Sequence, residues 1–137
     1  MSYLLDTNII FELRKNERCD ARVWKWRQKV ALEEIFTSVL SMGELRRGIE
    51  ALRGRDGFAA RSLEKWYRQI STVFAERILP VTFDVAEIWA QLPQNSPLPI
   101  ADGLIAATAI HHELILVTGN TKDMRQSGVD CLNPFID

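Results

Sequence analysis

Four acidic side chains in this sequence lie next to apolar runs, where a folded chain can present them to a ligand. They are Asp6 after an apolar run at residues 3–5, Glu44 and Asp102 near the starts of two helical segments, and Asp123 shortly after a second apolar run. Carboxylates that share a site repel one another, and they persist mainly where a hard cation neutralises them. Oxygen ligands alone favour Mg²⁺ or Mn²⁺ over zinc. The sequence therefore predicts a metal-dependent acidic site.

Each of these carboxylates also has an ordinary structural explanation. Asp6 is able to cap the helix that follows it, Ser41 and Glu44 fit a capping box, and Asp123 falls in a loop. Asp102 lies in a helical first turn, where the helix dipole contributes about 0.3–1 kcal/mol. The helix is so apolar that the cost of desolvating a carboxylate there exceeds this gain. Asp102 is therefore the strongest single candidate for a ligand.

The remaining sequence alternates between strand and helix patterns. We expect strands at residues 3–6, 35–38, 78–81 and 114–118, with a short turn and residues 129–132 closing the chain. We expect helices at residues 7–15, 20–30, 57–76 and 100–112. A further helix follows the second strand and stops before Gly54, and one capped by Asp84 ends before Pro93, with a loop at 94–99. Such alternation predicts an α/β fold with helices on both faces of a parallel sheet. Pro80 lacks a backbone donor, which places the third strand at an edge or in partial pairing.

In an open parallel sheet, ligands bind at the edge where the strands end, and Asp6 follows the first strand. Thr118 ends the strand at 114–118, so its hydroxyl is placed to hydrogen-bond a carboxylate or a metal-bound water. Asn120 lies nearer that strand end than Asp123 and is a candidate neutral ligand or orienting group. Asn8, two residues after Asp6, is expected to support the ligands in the same way.

Composition restricts the class of protein. The 137 residues are 47% hydrophobic and 26% charged, which predicts one soluble globular domain spanning residues 1–137. No apolar run approaches the roughly 18 residues needed to span a bilayer, and we expect a cytosolic protein without a membrane segment. Cys19 and Cys131 form neither a zinc pattern nor a disulfide framework. His111, His112 and the four tryptophans are expected to have structural roles.

Charge is unevenly distributed along the chain. Residues 1–43 carry a net charge of +1, residues 44–80 carry +3 and residues 81–137 carry −5. The basic residues within 14–29 and 46–61 would suit a polyanionic partner, although solvated helix faces explain the same pattern. The sequence contains no glycine-rich phosphate loop, serine nucleophile elbow or His-x-x-x-His metal spacing.

Four motifs in order resemble those of PIN-domain ribonucleases of the VapC-like toxin group, including its FitB-like branch. The motifs are Leu4-Leu5-Asp6-Thr7-Asn8, Ser38-x-x-Ser41-x-x-Glu44-Leu45-x-x-Gly48, Ile100-Ala101-Asp102-Gly103-Leu104-Ile105-Ala106-Ala107 and Leu116-Val117-Thr118-Gly119-Asn120-Thr121. By this resemblance, Asp6, Glu44 and Asp102 match the three principal acids of the family. The fourth acidic position falls at either Asn120 or Asp123, and the number of metal ions depends on which one fills it.

The resemblance implies a PIN-like α/β/α sandwich with a central parallel sheet flanked by helices. It also implies an endoribonuclease toxin that uses Mg²⁺, or Mn²⁺ as a substitute, and a metal-activated water to cut RNA, with transfer RNA favoured. Its expected partners are a cognate antitoxin, a second copy of the chain, and promoter DNA reached only through the antitoxin. Exposed apolar positions on the early helices, namely Ile10, Phe11, Trp24 and Trp26, are a further indication of a homodimer.

Two other classes of function compete with this interpretation. A phosphatase that uses an aspartate nucleophile needs a second Asp at position 8, where this chain has Asn8, and a phosphoacceptor receiver needs an acidic pair that is absent. A non-catalytic PIN-like module that binds RNA or a partner, or acts as a DNA-bound regulator, is the second alternative. The three intact acids favour the enzyme.

Overall fold

The computed structural model describes residues 1–95 and 97–137, and these contain five strands and seven α-helices. The strands are β1 (Tyr3–Leu5), β2 (Ile35–Ser38), β3 (Ile78–Leu79), β4 (Ile115–Val117) and β5 (Cys131–Leu132). The helices are α1 (Thr7–Leu13), α2 (Ala21–Lys29), α3 (Val39–Arg53), α4 (Gly57–Phe74), α5 (Phe83–Ala90), α6 (Ile100–His111) and α7 (Thr121–Met124). Residue 96, in the predicted loop 94–99, lies outside the described residues. No helix in the described part has the length and apolar character needed to cross a bilayer.

The strands form one sheet in the order β3-β2-β1-β4-β5, and every pair is parallel. β1 is central, with Tyr3 opposite Ile35 on one side and Ile115 on the other. β3 lies at an edge and pairs through two residues, which confirms the position predicted from Pro80. Because all the strands are parallel, their carboxyl ends lie at the same edge of the sheet.

Helices cover the sheet on both faces because successive residues of the central strands point in opposite directions. Leu4 and Leu116 pack with Ile105 and Ala109 of α6 on one face. Leu5 and Val117 pack on the other face with a cluster from α1, α3 and α4 that includes Ile9, Ile10, Met42, Leu45 and Phe74. This double burial explains why β1 and β4 are uniformly apolar, and it confirms the α/β sandwich.

The structure corrects the predicted cap of one helix and excludes an alternative explanation of Glu44 in another. Thr82, not Asp84, caps α5, because the Thr82 hydroxyl accepts a hydrogen bond from the Val85 amide at 3.2 Å. Ser38 caps α3 through the Leu40 amide at 3.0 Å, so the Ser41–Glu44 pair is not a capping box. Several Ser, Thr and Asp residues compete in each window, and the cap is the one at which the backbone leaves its extended conformation.

Three other expectations differ from the structure. Ile10 is buried, with 3% of its surface exposed, and belongs to the core, so it does not contribute to an exposed apolar face. The predicted turn after β4 contains the short helix α7. Of the tryptophans, Trp26 and Trp66 pack only partly against the core and Trp89 is exposed. The two cysteines are free, as predicted.

Candidate active site

Asp6 lies at the end of the central strand β1 and is also the N-cap of α1. Its backbone amide still pairs with the Val117 carbonyl of β4, while its Oδ1 accepts a hydrogen bond from the Thr7 amide at 2.8 Å. The capping role and a ligand role are therefore compatible in the same side chain. Asp6 is buried, with 5% of its surface exposed, so its carboxylate is held in one position at the sheet edge.

One cleft of about 600 Å³ brings the predicted residues together. Asp6, Glu44, Asp102 and Asn120 line it, together with Thr7 and Asn8. Glu44 reaches the cleft from the second turn of α3, and Asp102 reaches it from the first turn of α6. The parallel arrangement explains this convergence, because α1, α3 and α6 place their early turns at the same edge of the sheet.

Asp123 is exposed on α7 and is not among the residues that line the cleft. It is close enough to act electrostatically, since its charge contributes to raising the pKa of Asp102. Asn120 precedes α7, and its side chain makes no capping hydrogen bond there. Of the two residues considered for the fourth ligand position, Asn120 lines the cleft and Asp123 does not.

Thr118 holds the second oxygen of Asp6. Its Oγ1 donates to Asp6 Oδ2 at 2.8 Å and accepts from the Asn120 amide at 3.0 Å. Asn8 Nδ2 lies 3.4 Å from the same Asp6 oxygen, and Asn8 Oδ1 accepts from the Gly119 amide at 3.1 Å. These hydrogen bonds connect the loop after β4 to the end of β1, as the sequence predicted for Thr118. They fix the direction in which the Asp6 carboxylate points.

Glu44 is held by Thr7, a contact that the sequence analysis missed. Thr7 Oγ1 donates to Glu44 Oε1 at 2.5 Å, and the two residues lie 37 positions apart. Thr7 directly follows Asp6, but the sequence carries no signal that α1 and α3 pack closely enough for this bond. Thr7 and Thr118 thus serve two different carboxylates of the same cleft.

The electrostatic environment disfavours ionised carboxylates in the cleft. Burial raises the pKa of Asp6, and Glu44 raises it further, while hydrogen bonds from Thr118, Thr7 and Asn8 oppose that increase. Burial also raises the pKa of Asp102, with additional increases from the charges of Asp6, Glu44 and Asp123. The negative charges therefore repel one another, and a bound cation would relieve this repulsion.

The donor set fits a hard divalent cation. The polar end of the cleft offers carboxylate, amide and hydroxyl oxygens, and no His or Cys side chain lines it in the described residues. In that part of the chain, no three acidic, His or Cys side chains lie close enough together to hold a metal ion between them. Mg²⁺ typically keeps several water ligands and binds through one or two carboxylates, so an open arrangement of this kind suits it.

The other half of the cleft is apolar and was not predicted. Phe11, Leu52, Leu63 and Trp66 line it, with contributions from α1, α3 and α4, and Arg55, just past the end of α3, lines the same cleft. Trp66 was expected in the core, but it faces the cleft and contacts Phe11 edge to face, with ring centroids 6.3 Å apart. The helical spacing of Trp66 does not show whether it faces the core or a cleft, because helix residues in either position recur with the same period.

Comparison with known proteins identifies the family. A family model described as the PIN domain matches residues 3–128. The chain belongs to the PIN-domain family. It is 35% identical to toxin FitB of Neisseria gonorrhoeae, over 98% of this chain and 99% of that protein. It is 33% identical to VapC ribonuclease Y4jK of Sinorhizobium fredii, over 96% of each chain.

Solved structures of PIN-domain relatives have the same fold. A structure of FitAB bound to an IR36 DNA fragment contains a chain that matches with a TM-score of 0.87 and 33% identity, over 97% of this chain and 95% of that one. A toxin–antitoxin complex from Klebsiella pneumoniae matches with a TM-score of 0.73 and 27% identity, over 97% and 98% of the two chains. The parallel sheet and its helices are therefore those of the PIN domain.

Proposed function

We propose that this PIN-domain protein is a metal-dependent endoribonuclease toxin that is neutralised by an antitoxin. The observation that carries the proposal is the meeting of Asp6, Glu44 and Asp102 at one end of a single cleft. Their charges act on one another there, since Asp6 and Glu44 both raise the pKa of Asp102. The names of the FitB toxin and the VapC ribonuclease support the same activity.

The chain positions the acidic groups, and water acts as the nucleophile. A Mg²⁺ or Mn²⁺ ion held at Asp6, Glu44 and Asp102, in part through its own water ligands, would orient a water for attack on a phosphodiester and stabilise the developing negative charge. Thr118 fixes the Asp6 carboxylate and Thr7 fixes that of Glu44. No Ser, Cys, His or Lys of the described residues lines the cleft, and the Thr7 hydroxyl that does line it donates to Glu44. Asp123 is proposed as a fourth acidic residue that adds negative charge beside Asp102.

The chemistry of the RNA ends tests this mechanism. Purified protein incubated with transfer RNA and Mn²⁺ should produce fragments with 3′-hydroxyl and 5′-phosphate ends, because water supplies the attacking oxygen. End-specific ligation and mass spectrometry would identify both ends, and a reaction with chelator added serves as the control. Ends carrying 2′,3′-cyclic phosphate would show instead that a ribose hydroxyl attacks, and would overturn the mechanism.

Replacement of Thr118 isolates the contribution of one hydrogen bond. Thr118→Val removes the donor to Asp6 Oδ2 at nearly constant volume and leaves the Asn120 amide without its acceptor. We expect cleavage to fall about 10–100-fold, as for other groups that orient metal ligands. The free energy of unfolding should also fall by about 1–3 kcal/mol. Thr118→Ser keeps the hydroxyl and should retain most of the activity, and equal activity of the Val and Ser variants would refute the role of the hydrogen bond.

An antitoxin is the partner that fits a cleft lined by both acidic and apolar residues. An arginine of the partner would pair with two of the carboxylates at the acidic end, in the place of the metal. An apolar helix of the partner would lie against Phe11, Leu63 and Trp66 in the apolar half. The K. pneumoniae toxin–antitoxin complex supports this kind of partner. The FitAB structure bound to a DNA fragment supports DNA as a further partner, and we propose that this chain reaches promoter DNA only through its antitoxin.

Co-expression tests the antitoxin directly. The product of the adjacent gene should relieve growth inhibition and purify with this chain as a stable complex. Leu63→Glu, which introduces a charge into the apolar half of the cleft, should release the partner, while Val73→Glu on the exposed part of α4 should not. If the neighbouring gene product neither relieved toxicity nor bound, this part of the proposal would fall.

The homodimer is also proposed, but on a different surface from the one first considered. Ile10 is buried and Phe11 lines the cleft, so the early helices offer less exposed apolar surface than the sequence suggested. Large exposed apolar side chains occur instead on α5 and at the start of α6, where Phe83 is 76% exposed and Ile100 is 67% exposed. These two helices pack against each other, so their exposed side chains are candidates for one self-complementary patch.

A further inference from the structure

The cleft continues well beyond the acidic residues along α3. Glu44 and Leu52 both line it, and their separation of eight helical residues corresponds to about 12 Å. Arg55 lies just past the end of α3, at the opposite end of that helix from Glu44, and lines the same cleft. A ligand that fills the cleft would therefore meet the metal-binding carboxylates at one end and a cation at the other.

Arg55 has no ion-pair partner within the described residues. Neighbouring Arg46 and Arg53 differ, because both pair with Glu50 and Glu64, with Arg53 2.9 Å from Glu64. Arg55 is also exposed, so its guanidinium is available to an anion from outside. An apolar peptide helix has no anion to pair with this cation, whereas a phosphate would pair with it.

Gly48 lies in the wall of the cleft between these two ends. It is an exposed residue in the interior of α3, where glycine costs about 0.5–1 kcal/mol relative to alanine. A Cβ at this position would meet no atom within 4 Å, so packing inside the chain does not require glycine there. Its absent side chain leaves room in the cleft for the backbone of a ligand. Gly43 is equally open in the same helix but does not line the cleft.

We propose that a single-stranded segment of the RNA substrate follows this cleft from the acidic residues to Arg55, which binds one of its backbone phosphates. The inference rests on the proposed nuclease function and adds the path of the strand. The stretch of about 12 Å from Glu44 to Leu52 alone corresponds to roughly three to four nucleotides of stacked strand at about 3.4 Å per nucleotide. The strand passes α3 at Gly48, and the half-buried ring of Trp66 provides a surface against which a base packs.

Paired variants test the path. Arg55→Ala and Gly48→Leu probe the cleft, Arg55→Lys tests rescue by charge, and Lys65→Ala and Gly43→Leu are controls because neither residue lines the cleft. Binding of an unstructured oligoribonucleotide of ten nucleotides would be measured in the Asp6→Asn background, to prevent cleavage. Cleavage kinetics would be measured with Asp6 intact, and thermal unfolding would confirm that each variant folds.

Arg55→Ala should weaken binding about tenfold, raise KM and leave kcat nearly unchanged. The slope of log affinity against log salt should decrease by about 0.7, the value for one lost phosphate contact to a single strand. Arg55→Lys should restore most of the affinity. A dinucleotide is too short to reach both the acidic residues and Arg55, so parent and Arg55→Ala should cleave it equally. Gly48→Leu should weaken binding of the ten-nucleotide strand without lowering thermal stability.

Several results would overturn the inference while leaving the proposed function intact. One is a parent that cleaves RNA, together with Arg55→Ala and Gly48→Leu variants that bind RNA no more weakly than the two control variants do. Another is loss of antitoxin binding alone, which would assign this half of the cleft to protein. A parent that cleaves no RNA with any divalent ion would refute the nuclease instead. Length-dependent binding through Arg55 would still support the path in that case.

Discussion

Asp6→Asn and Asp102→Asn should each lower RNA cleavage by about a thousandfold or more. Each change removes one negative charge from the metal-binding end of the cleft at nearly constant volume. Metal ions contribute several kcal/mol to transition-state stabilisation, and each 1.36 kcal/mol corresponds to a factor of ten in rate. Initial rates of cleavage at saturating Mn²⁺ are the appropriate measurement, because they separate lost chemistry from weaker metal binding.

Both variants should also fold at least as stably as the parent without metal. Burial and neighbouring charges raise the pKa of Asp6 and of Asp102, so their ionised forms destabilise the folded state and the neutral amide relieves that cost. Asp84→Asn is the matched control, since Asp84 is exposed in the first turn of α5 and outside the cleft. Full activity of both cleft variants would show that the acidic residues of this cleft do not perform the reaction.

Mn²⁺ or Mg²⁺ should stabilise the parent against thermal unfolding, independently of any activity. A ligand present at one hundred times its dissociation constant stabilises by about 2.7 kcal/mol, which for a chain of this size raises Tm by roughly 10 °C. Asp6→Asn should show little of this increase, while Asp84→Asn should show all of it. A metal-induced increase of equal size in parent and Asp6→Asn would place the ion elsewhere.

The dependence on pH has a definite sign. A raised carboxyl pKa means that the folded state binds protons more readily than the unfolded state, so the stability of the metal-free parent should increase as pH falls from neutral towards the ordinary value of 3.8. Metal-induced stabilisation should decrease over the same range, because protons compete for the same oxygens. Thermal unfolding of parent and Asp6→Asn, with and without Mn²⁺, would separate this effect from the titration of other groups. A metal-induced increase in Tm that did not change with pH would contradict the raised pKa values.

The parts of the fold that depend on local patterns were predictable from the sequence. Uniform apolar runs located β1 and β4, and the placement of Asp6 and Asp102 beside apolar segments located two of the three acids at the cleft. Helix starts were less predictable, because Thr82 and Asp84 both satisfy the chemistry of a cap. α7 was missed because four residues are too few for a helical period to be visible.

Features that depend on packing between distant elements could not be predicted from the sequence. The Thr7–Glu44 hydrogen bond exists because α1 and α3 approach each other, and neither residue is unusual in its own segment. The apolar half of the cleft depends on how α4 lies against α3, so Trp66 and Leu63 could not be distinguished from core residues. Ile10 shows the opposite error, because an apolar residue on an early helix was assigned to the surface when it belongs to the core.

The strand order has a consequence for when the activity arises during synthesis. β1, β2 and β3 are neighbours in both the chain and the sheet, so the first 79 residues contain every strand on one side of β1. The other edge of β1 stays unpaired until β4 has been synthesised. Asp6 likewise lacks its hydrogen bond from Thr118 until that residue, 112 positions later in the chain, has been made. Asp102 also emerges in the last third. A chain still being translated therefore carries Asp6 and Glu44 without Asp102 or the strand that completes the pairing of β1, and the proposed nuclease becomes competent to cut RNA only after Thr118 has been synthesised and β4 has joined the sheet.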